Sequence, residues 1–434
     1  MADTSKNVSE GVPEGASSNV CTSNTSESAP EGEGFLENAG FSTQVIHAGE
    51  LQGDQFRALA TPIYQTATFG FQSAEQGIDR FQGKEKCYAY TRGGNPTIAV
   101  LEEKVAALEG GVGAVACASG MGATASLVWT FLQSGDHIVI GNCLYGCSDL
   151  LIRQTLPKFN VEVTAVDTSN IEAVKAAIRP NTKMIFFETP TNPLMKVTDI
   201  AAVKELAGDI MVVVDNTFAP PPVQKPFECG ADIIIHSATK YLNGHGDVIS
   251  GLAVSKRQDQ LKSLKSLGMS KLTGSVCSPF DAYLNIRGLQ TLELRMQRHC
   301  ENALAVAKYL ETRKEVKRVY YPRLESFEGY DIVQKQMHGL GTGILSFELQ
   351  KEVNGISGYE AAKKIMNNLQ IPHIAVSLGD PFSLVEHPYT MTHAVVPDEV
   401  KLKAGITPEL VRFSAGLENT NDLISDFEQT FAQI

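Results

Sequence analysis

An α/β fold is what this chain predicts: a mostly parallel sheet covered by helices on both faces, then a smaller C-terminal α+β domain. Three observations lead there. Short apolar runs recur at residues 114–117, 137–140, 161–166, 184–187, 211–214 and 233–235. Amphipathic segments, such as 171–178 and 200–206, separate several of them. From about residue 290 that alternation gives way to a long helical pattern and further strands. Apolar runs alternating with helices fit strands buried on both faces, as parallel sheets require.

In chain order, residues 1–40 are rich in Ser, Glu, Gly and Asn and poor in aromatics. Such a segment buries too little apolar surface to offset its chain entropy, so it is expected to be disordered. Residues 41–95 are interrupted by Pro62, Gly83, Gly93 and Gly94 and carry aromatics without a clean period. They read as an irregular arm that packs on a neighbouring subunit. A domain at 96–288 opens with the helical spacing of TIAVLEEKVAAL (97–108), which stops at Gly110 and Gly111. The following GVGAVA (111–116) imitates a dinucleotide fingerprint. Its glycines precede the strand instead of following it, so no Rossmann site is expected. The final domain, 289–434, begins with a helix over 292–312 and continues with strands at 316–321 and 343–349.

Hydrophobic residues make up 43% of the 434 and charged residues 20%, the balance of a globular protein. The net charge of −12 disfavours nucleic acid or an anionic membrane as a partner. No apolar run approaches the roughly 18 residues of a membrane span. The N-terminus has no basic region before an apolar core, and its acids, Asp3, Glu10, Glu14, Glu27, Glu31 and Glu33, face only Lys6. Neither a secretory signal nor a transit peptide looks like this, so a cytoplasmic location is expected. The 8 cysteines are scattered. Cys143 and Cys147 have metal-like spacing but no second Cys or His pair nearby, so no metal is expected.

The chemistry concentrates in 212–251. VVVDNTF (212–218) reads as a buried strand ending in Asp215, and Lys240 follows the next apolar run in ADIIIHSATKYLNGHGD (231–247). Ligands in open α/β sheets bind at the carboxyl ends of strands, so Asp215 and Lys240 are expected in one crevice. That pairing fits pyridoxal 5′-phosphate (PLP), which needs a lysine for its imine and a carboxylate to keep its ring nitrogen protonated. Ser237 and Thr239 flank the lysine and are placed to hydrogen-bond a phosphate. Ser119-Gly120-Met121-Gly122 follows the strand at 114–117 and is expected to open a helix, whose N-terminus favours an anion.

SATKYLNGHGDV, VVVDNTF, ETPTNP, YTRGGNPT, ASGMGA, SLGD and VRFSAGLE, in this order or spread along the chain, together resemble the Cys/Met-metabolism PLP enzymes of fold type I. The resemblance runs from about Phe41 to the C-terminus. It implies the aspartate aminotransferase-like PLP-dependent transferase fold. It makes Lys240 the Schiff-base lysine and Asp215 the partner of the ring nitrogen. Gly120, Met121, Ser237 and Thr239 would hold the phosphate from one subunit, and Tyr90 and Arg92 from a neighbour. A homotetramer, a dimer of active dimers, is implied. Tyr145 would stack on the ring and act as acid–base, and Asn192 would lie near the phenolic oxygen. Arg412 and Ser377 would hold the substrate carboxylate. LYGC (144–147), LTGSVCSP (272–279) and RMQRHCENA (295–303) are closest to members that cleave methionine, in which Cys147 occupies a characteristic active-site position.

Other readings of single residues stand beside these. Cys147 could be a small buried hydrophobe, Tyr145 a core aromatic, and Arg412 a solvent-facing residue of an alternating strand. His387 and His393 read as structural. Among reactions, γ-elimination of L-methionine to methanethiol, 2-oxobutanoate and ammonia is expected first, with homocysteine or cysteine as further substrates. γ-Cleavage of cystathionine comes second and sulfhydrylation of O-acetylhomoserine third. Cystathionine carries a second amino-acid head, which carboxylates beside the phosphate tyrosine and the substrate serine would receive. Those positions are Ala89 and Val376, both apolar. Methionine-cleaving members often carry Lys-Asp where this chain has Ser270-Lys271, which bears on strict methionine specificity.

Overall fold

A computed structural model describes residues 39–49, 56–85, 87–394 and 396–434. The tail expected to be disordered lies, but for its last two residues, outside the described residues.

The central sheet has seven strands: β1 (Gly113–Cys117), β2 (His137–Gly141), β3 (Glu162–Val166), β4 (Thr182–Glu188), β5 (Met211–Asp215), β6 (Ile233–His236) and β7 (Gly251–Ser255). Their order is β1-β7-β6-β5-β4-β2-β3. Strands β3, β2, β4, β5 and β6 run parallel, and β7 alone runs against its neighbours β6 and β1. The expected mostly parallel sheet is therefore present. Ile185, Phe187, Val212, Val214 and Ile234 enter one apolar cluster, while Met184, Phe186, Val213, Ile233 and Ile235 enter another. Successive side chains of a strand point to opposite faces, so this division means that both faces are covered. The apolar runs do not predict β7: its residues 252–254 follow a glycine-rich turn with no helix between them and β6, so the strand–helix alternation does not mark them.

The helix Pro96–Glu109 follows the sequence signals closely. Asn95 caps it, Pro96 occupies its first turn, and Gly110 ends it in the left-handed region at φ 76°. Gly111 lies before β1 and Gly113 at its first residue, as the rejection of a dinucleotide site requires. The segment expected to be irregular contains two short helices, Phe41–His47 and Ala74–Phe81. Each buries a single residue, Val45 and Gly77 respectively, and although the second spaces Ala74, Ile78 and Phe81 at helical intervals, both helices are shorter than the span over which a period is read.

The helix Leu292–Glu311 leads into a second sheet. Its strands are β8 (Val316–Tyr320), β9 (Ile344–Leu349), β12 (His373–Ile374), β13 (Leu384–Glu386) and β14 (Leu410–Ser414), in the order β12-β13-β14-β9-β8. A two-strand ribbon, β10 (Glu352–Val353) and β11 (Ile356–Ser357), stands apart from it. Three contacts fix this sheet against the first. Ser346 Oγ donates to Pro193 O at 2.7 Å, and Thr342 Oγ1 donates to Phe218 O at 2.7 Å. The Arg295 guanidinium, buried, donates to Tyr241 O at 2.8 Å. They bring β13 and β14 over the carboxyl ends of β4, β5 and β6.

Candidate active site

The carboxyl ends of β1, β4, β5 and β6 open on the same edge of the sheet, where an α/β fold presents its ligand crevice. After β1 the chain turns at Ser119 into the helix Gly120–Phe131, and Ser119 Oγ accepts from Gly122 N at 3.0 Å. The first amides of a helix have no partner within it, so those of Gly120 and Met121 are available to an anion. Glycine is needed in this turn for close approach. A Cβ on Gly120 would lie 3.0 Å from Ser237 Cβ, and one on Gly251 would lie 2.2 Å from Ser119 O. The turn is thus seated against Ser237, forming a small-residue cradle that suits a phosphate. Thr239 is engaged elsewhere: its Oγ1 donates to Ser250 O at 3.2 Å and accepts from Ser250 N at 3.0 Å.

Asp215 ends β5 directly opposite Glu188 at the end of β4. Asp215 Oδ1 accepts from Thr217 N at 3.0 Å and from Thr217 Oγ1 at 2.5 Å, and the same hydroxyl accepts from Ser237 N at 2.9 Å. Thr217 therefore locks the carboxylate to the loop that carries the lysine. Burial pushes the pKa of Asp215 up, and that of Glu188 well up, with the nearby Asp215 charge adding to the effect on Glu188. Two facing buried acids do not readily hold two charges. A cation set against Asp215 would relieve that, which is the environment a protonated pyridine ring provides.

Lys240 Nζ donates to Ser377 Oγ at 2.9 Å. Burial, and next the Arg412 charge, pull the Lys240 pKa down. The SLGD turn lies close against the lysine's backbone: Gly379 has φ +79°, and a Cβ there would come within 3.0 Å of Tyr241 N. Arg412, on β14, is only 2% exposed, so it is not a solvent-facing strand residue. Its Nη1 donates to Asn192 Oδ1 at 3.0 Å and forms an ion pair with Glu386 Oε1 at 2.7 Å. Its Nη2 donates to Val376 O at 3.3 Å and Ser377 O at 3.1 Å.

Tyr145 is 49% exposed and precedes a short helix, with its amide donating to Glu188 Oε1. It is not a core aromatic. Cys147 is exposed, and its Sγ lies 3.6 Å from Tyr145 Oη, so it is not a buried hydrophobe. That thiol, with partial burial, pushes the phenol's pKa up to about 12. The Tyr145 phenol therefore keeps its proton at neutral pH. Met121 reaches the same loop, with Ser148 Oγ donating to its Sδ at 3.5 Å.

One group of expected residues stays apart. Tyr90 is exposed and lies under the Arg92 guanidinium, 5.1 Å from its ring centre. Among the described residues, no hydrogen bond or ring contact joins Tyr90, Arg92 or Ala89 to the Lys240 cleft. His387 bonds Thr390 Oγ1 at 2.8 Å and Pro408 O at 2.7 Å, and burial pushes the His393 pKa down to about 4. The described residues contain no group of three acids, histidines or cysteines arranged to hold a metal. No helix among them is long and apolar enough to cross a membrane.

Sequence reading missed Thr217, Glu188 and Glu386. Thr217 and Glu188 sit inside motifs already singled out, VVVDNTF and ETPTNP. Glu386 carries one weak signal, an acid closing the short apolar run SLV.

Residues 42–432 match the family model described as Cys/Met metabolism PLP-dependent enzyme. The chain is 49% identical to the L-methionine gamma-lyase of Fusobacterium nucleatum subsp. nucleatum over 92% of its length and 100% of that protein's. It is also 49% identical to the L-methionine gamma-lyase of Porphyromonas gingivalis, over 91% of its length and 97% of that protein's. Among solved structures it is similar to cystathionine gamma-lyase from Lactobacillus plantarum complexed with L-serine. That match has a TM-score of 0.84 and 40% identity, covering 91% of this chain and 99% of the other.

Proposed function

The chain belongs to the Cys/Met metabolism family of PLP-dependent enzymes, and from that premise we propose that it cleaves the carbon–sulfur bond of L-methionine by γ-elimination. Water is consumed, and methanethiol, 2-oxobutanoate and ammonia are released. The observation that carries this reading is a single cleft holding Lys240, Ser377 and Arg412 side by side, beside an uncharged wall at Val376. A methyl thioether suits such a wall, whereas a second charged head would lack a partner there.

PLP, when bound, supplies the electron sink for negative charge developing on the substrate. Lys240 would hold the cofactor through Nζ and, as a free amine, would remove the Cα proton. Its lowered pKa favours the neutral amine that this requires. Asp215 would keep the ring nitrogen protonated. Gly120, Met121, Ser237 and Thr239 would hold the phosphate, with Thr239 sharing a hydroxyl already bonded to Ser250. Asn192 would hold the phenolic oxygen and also accepts from Arg412. Arg412 and Ser377 fix the substrate carboxylate. Loss of the γ-substituent also needs a Cβ proton removed, and Tyr145, beside Cys147, protonates the departing sulfur.

Tyr90 and Arg92 grip the phosphate of a neighbouring copy, with Ala89 and Val376 as apolar walls for the substrate. Phe56, Leu59, Ile78 and Phe81 on the same arm are exposed, an apolar surface that a second copy would cover. We place the arm at 41–95, the PLP domain at 96–288 and the C-terminal domain at 289–434. We propose a cytoplasmic homotetramer built as a dimer of active dimers.

Cystathionine is the second substrate reading, which the VVVDNTF and ETPTNP segments also suit, and O-acetylhomoserine sulfhydrylation the third; Ser270-Lys271 in place of Lys-Asp favours broader use of homocysteine or cysteine. Product analysis with methionine, homocysteine, cystathionine and O-acetylhomoserine supplied separately tests this. Methanethiol from methionine is expected, and turnover of cystathionine alone would overturn the reading.

A further inference from the structure

Glu386 and Arg412 face each other across the antiparallel β13–β14 pair. Glu386 Oε1 is ion-paired with Arg412 Nη1 at 2.7 Å and accepts from Thr392 Oγ1 at 3.1 Å, whereas Oε2 is buried with no hydrogen-bond partner. The two side chains are 1% and 3% exposed. The guanidinium that must receive the substrate carboxylate is thus already held by another carboxylate, in a place where water does not reach. Two carboxylates against one buried guanidinium leave one negative charge uncompensated, and burying an uncompensated charge is costly.

We propose that Glu386 is a positioning residue that takes up a proton on Oε2 as the substrate carboxylate docks on Arg412. The protonated acid keeps Oε1 beside Nη1 and as the acceptor for Thr392, while the proton neutralises its charge and leaves the guanidinium's to the incoming group. This rests on the assignment of Arg412 as the substrate-carboxylate site. Burial already pushes the Glu386 pKa up, with Arg412 opposing, and the pKa rises further when a second anion reaches the guanidinium. The charged groups facing Glu386 are Arg412 and, further off, Lys240; both favour its ionised form. His387 and His393 flank the same loop with pKa values pushed down by burial, so they are neutral and do not supply the charge. Because binding takes up a proton, affinity for a carboxylate ligand rises as pH falls. The change is up to about tenfold per pH unit in the window where free Glu386 is ionised and bound Glu386 is not.

The test uses the holoenzyme and L-norleucine, an isostere of methionine with no leaving group. Calorimetry in buffers of different ionisation enthalpy reads the protons exchanged on binding. The native protein is expected to take up about one proton more than Glu386→Gln, following single-site linkage. Pentylamine, the same ligand without its carboxylate, should show no such difference. Equal proton uptake by both proteins with norleucine overturns the proposal. If Glu386→Gln fails to fold, the native protein still decides: norleucine affinity independent of pH, relative to pentylamine, overturns it. Failure of the underlying assignment is separate, since Arg412→Lys would then leave norleucine affinity unchanged.

Discussion

Two parts of the chain that bear on one reaction are built in opposite ways. The cleft around Lys240 draws its hydrogen-bond network from a single chain. Asp215, Thr217 and Ser237 are joined by hydrogen bonds, Lys240 reaches Ser377, and Arg412 is held from four sides. The arm at 56–95 carries Tyr90 and Arg92 on an exposed surface with large apolar side chains beside them. On the proposed reading the first region works through fixed acids and bases, because burial and close charges shift proton affinities. The second would need an open face, because its cation and phenol would serve an anion held by another copy. A site divided this way would tie catalysis to assembly.

The comparison breaks most sharply at Lys240. Lys240→Ala should lower kcat with methionine by at least about 10³-fold, the upper range for losing a general base, and steady-state assay of methanethiol reads it. Tyr145→Phe removes the donor to sulfur but leaves the cleft's hydrogen bonds in place. It should cost on the order of 10²-fold in kcat with little change in KM. Arg92→Ala acts on the arm alone. It should weaken PLP binding by about tenfold or more, as expected for a lost charge-assisted bond, with kcat largely recovered at saturating PLP. Cys147→Ala removes the contact that most raises the Tyr145 pKa. The alkaline limb of kcat, which falls as Tyr145 loses its proton, should then move to lower pH. The smallest effect is on choice of substrate. Val376→Glu should shift the ratio of kcat/KM from methionine toward cystathionine by about tenfold, the scale of one exposed charge contact.

The cleft was also the more legible region in sequence. Asp215 and Lys240 stand out because each follows an apolar run that can only be a buried strand. Gly120 stands out because a glycine turn between strand and helix has few other uses. Glu386 does not, since an acid at the end of a three-residue strand looks like any edge carboxylate until Arg412 is placed opposite it. Strand β7 was hidden for a different reason: no helix separates it from β6, and its antiparallel course breaks the alternation that reveals the others. The arm's helices were hard to read because, at seven and eight residues, they are shorter than the window in which a period stands out, even though Ala74, Ile78 and Phe81 have helical spacing.

Subunit complementation tests the division of the site most directly. Lys240→Ala has an intact arm and a dead cleft; the Tyr90→Ala, Arg92→Ala double variant has the reverse. Mixed and allowed to exchange subunits, with PLP held limiting, the two should form hybrid dimers containing one complete site and regain activity. A mixture no more active than the sum of its separate components, with exchange verified by mass spectrometry, would contradict a cleft completed by its neighbour's arm.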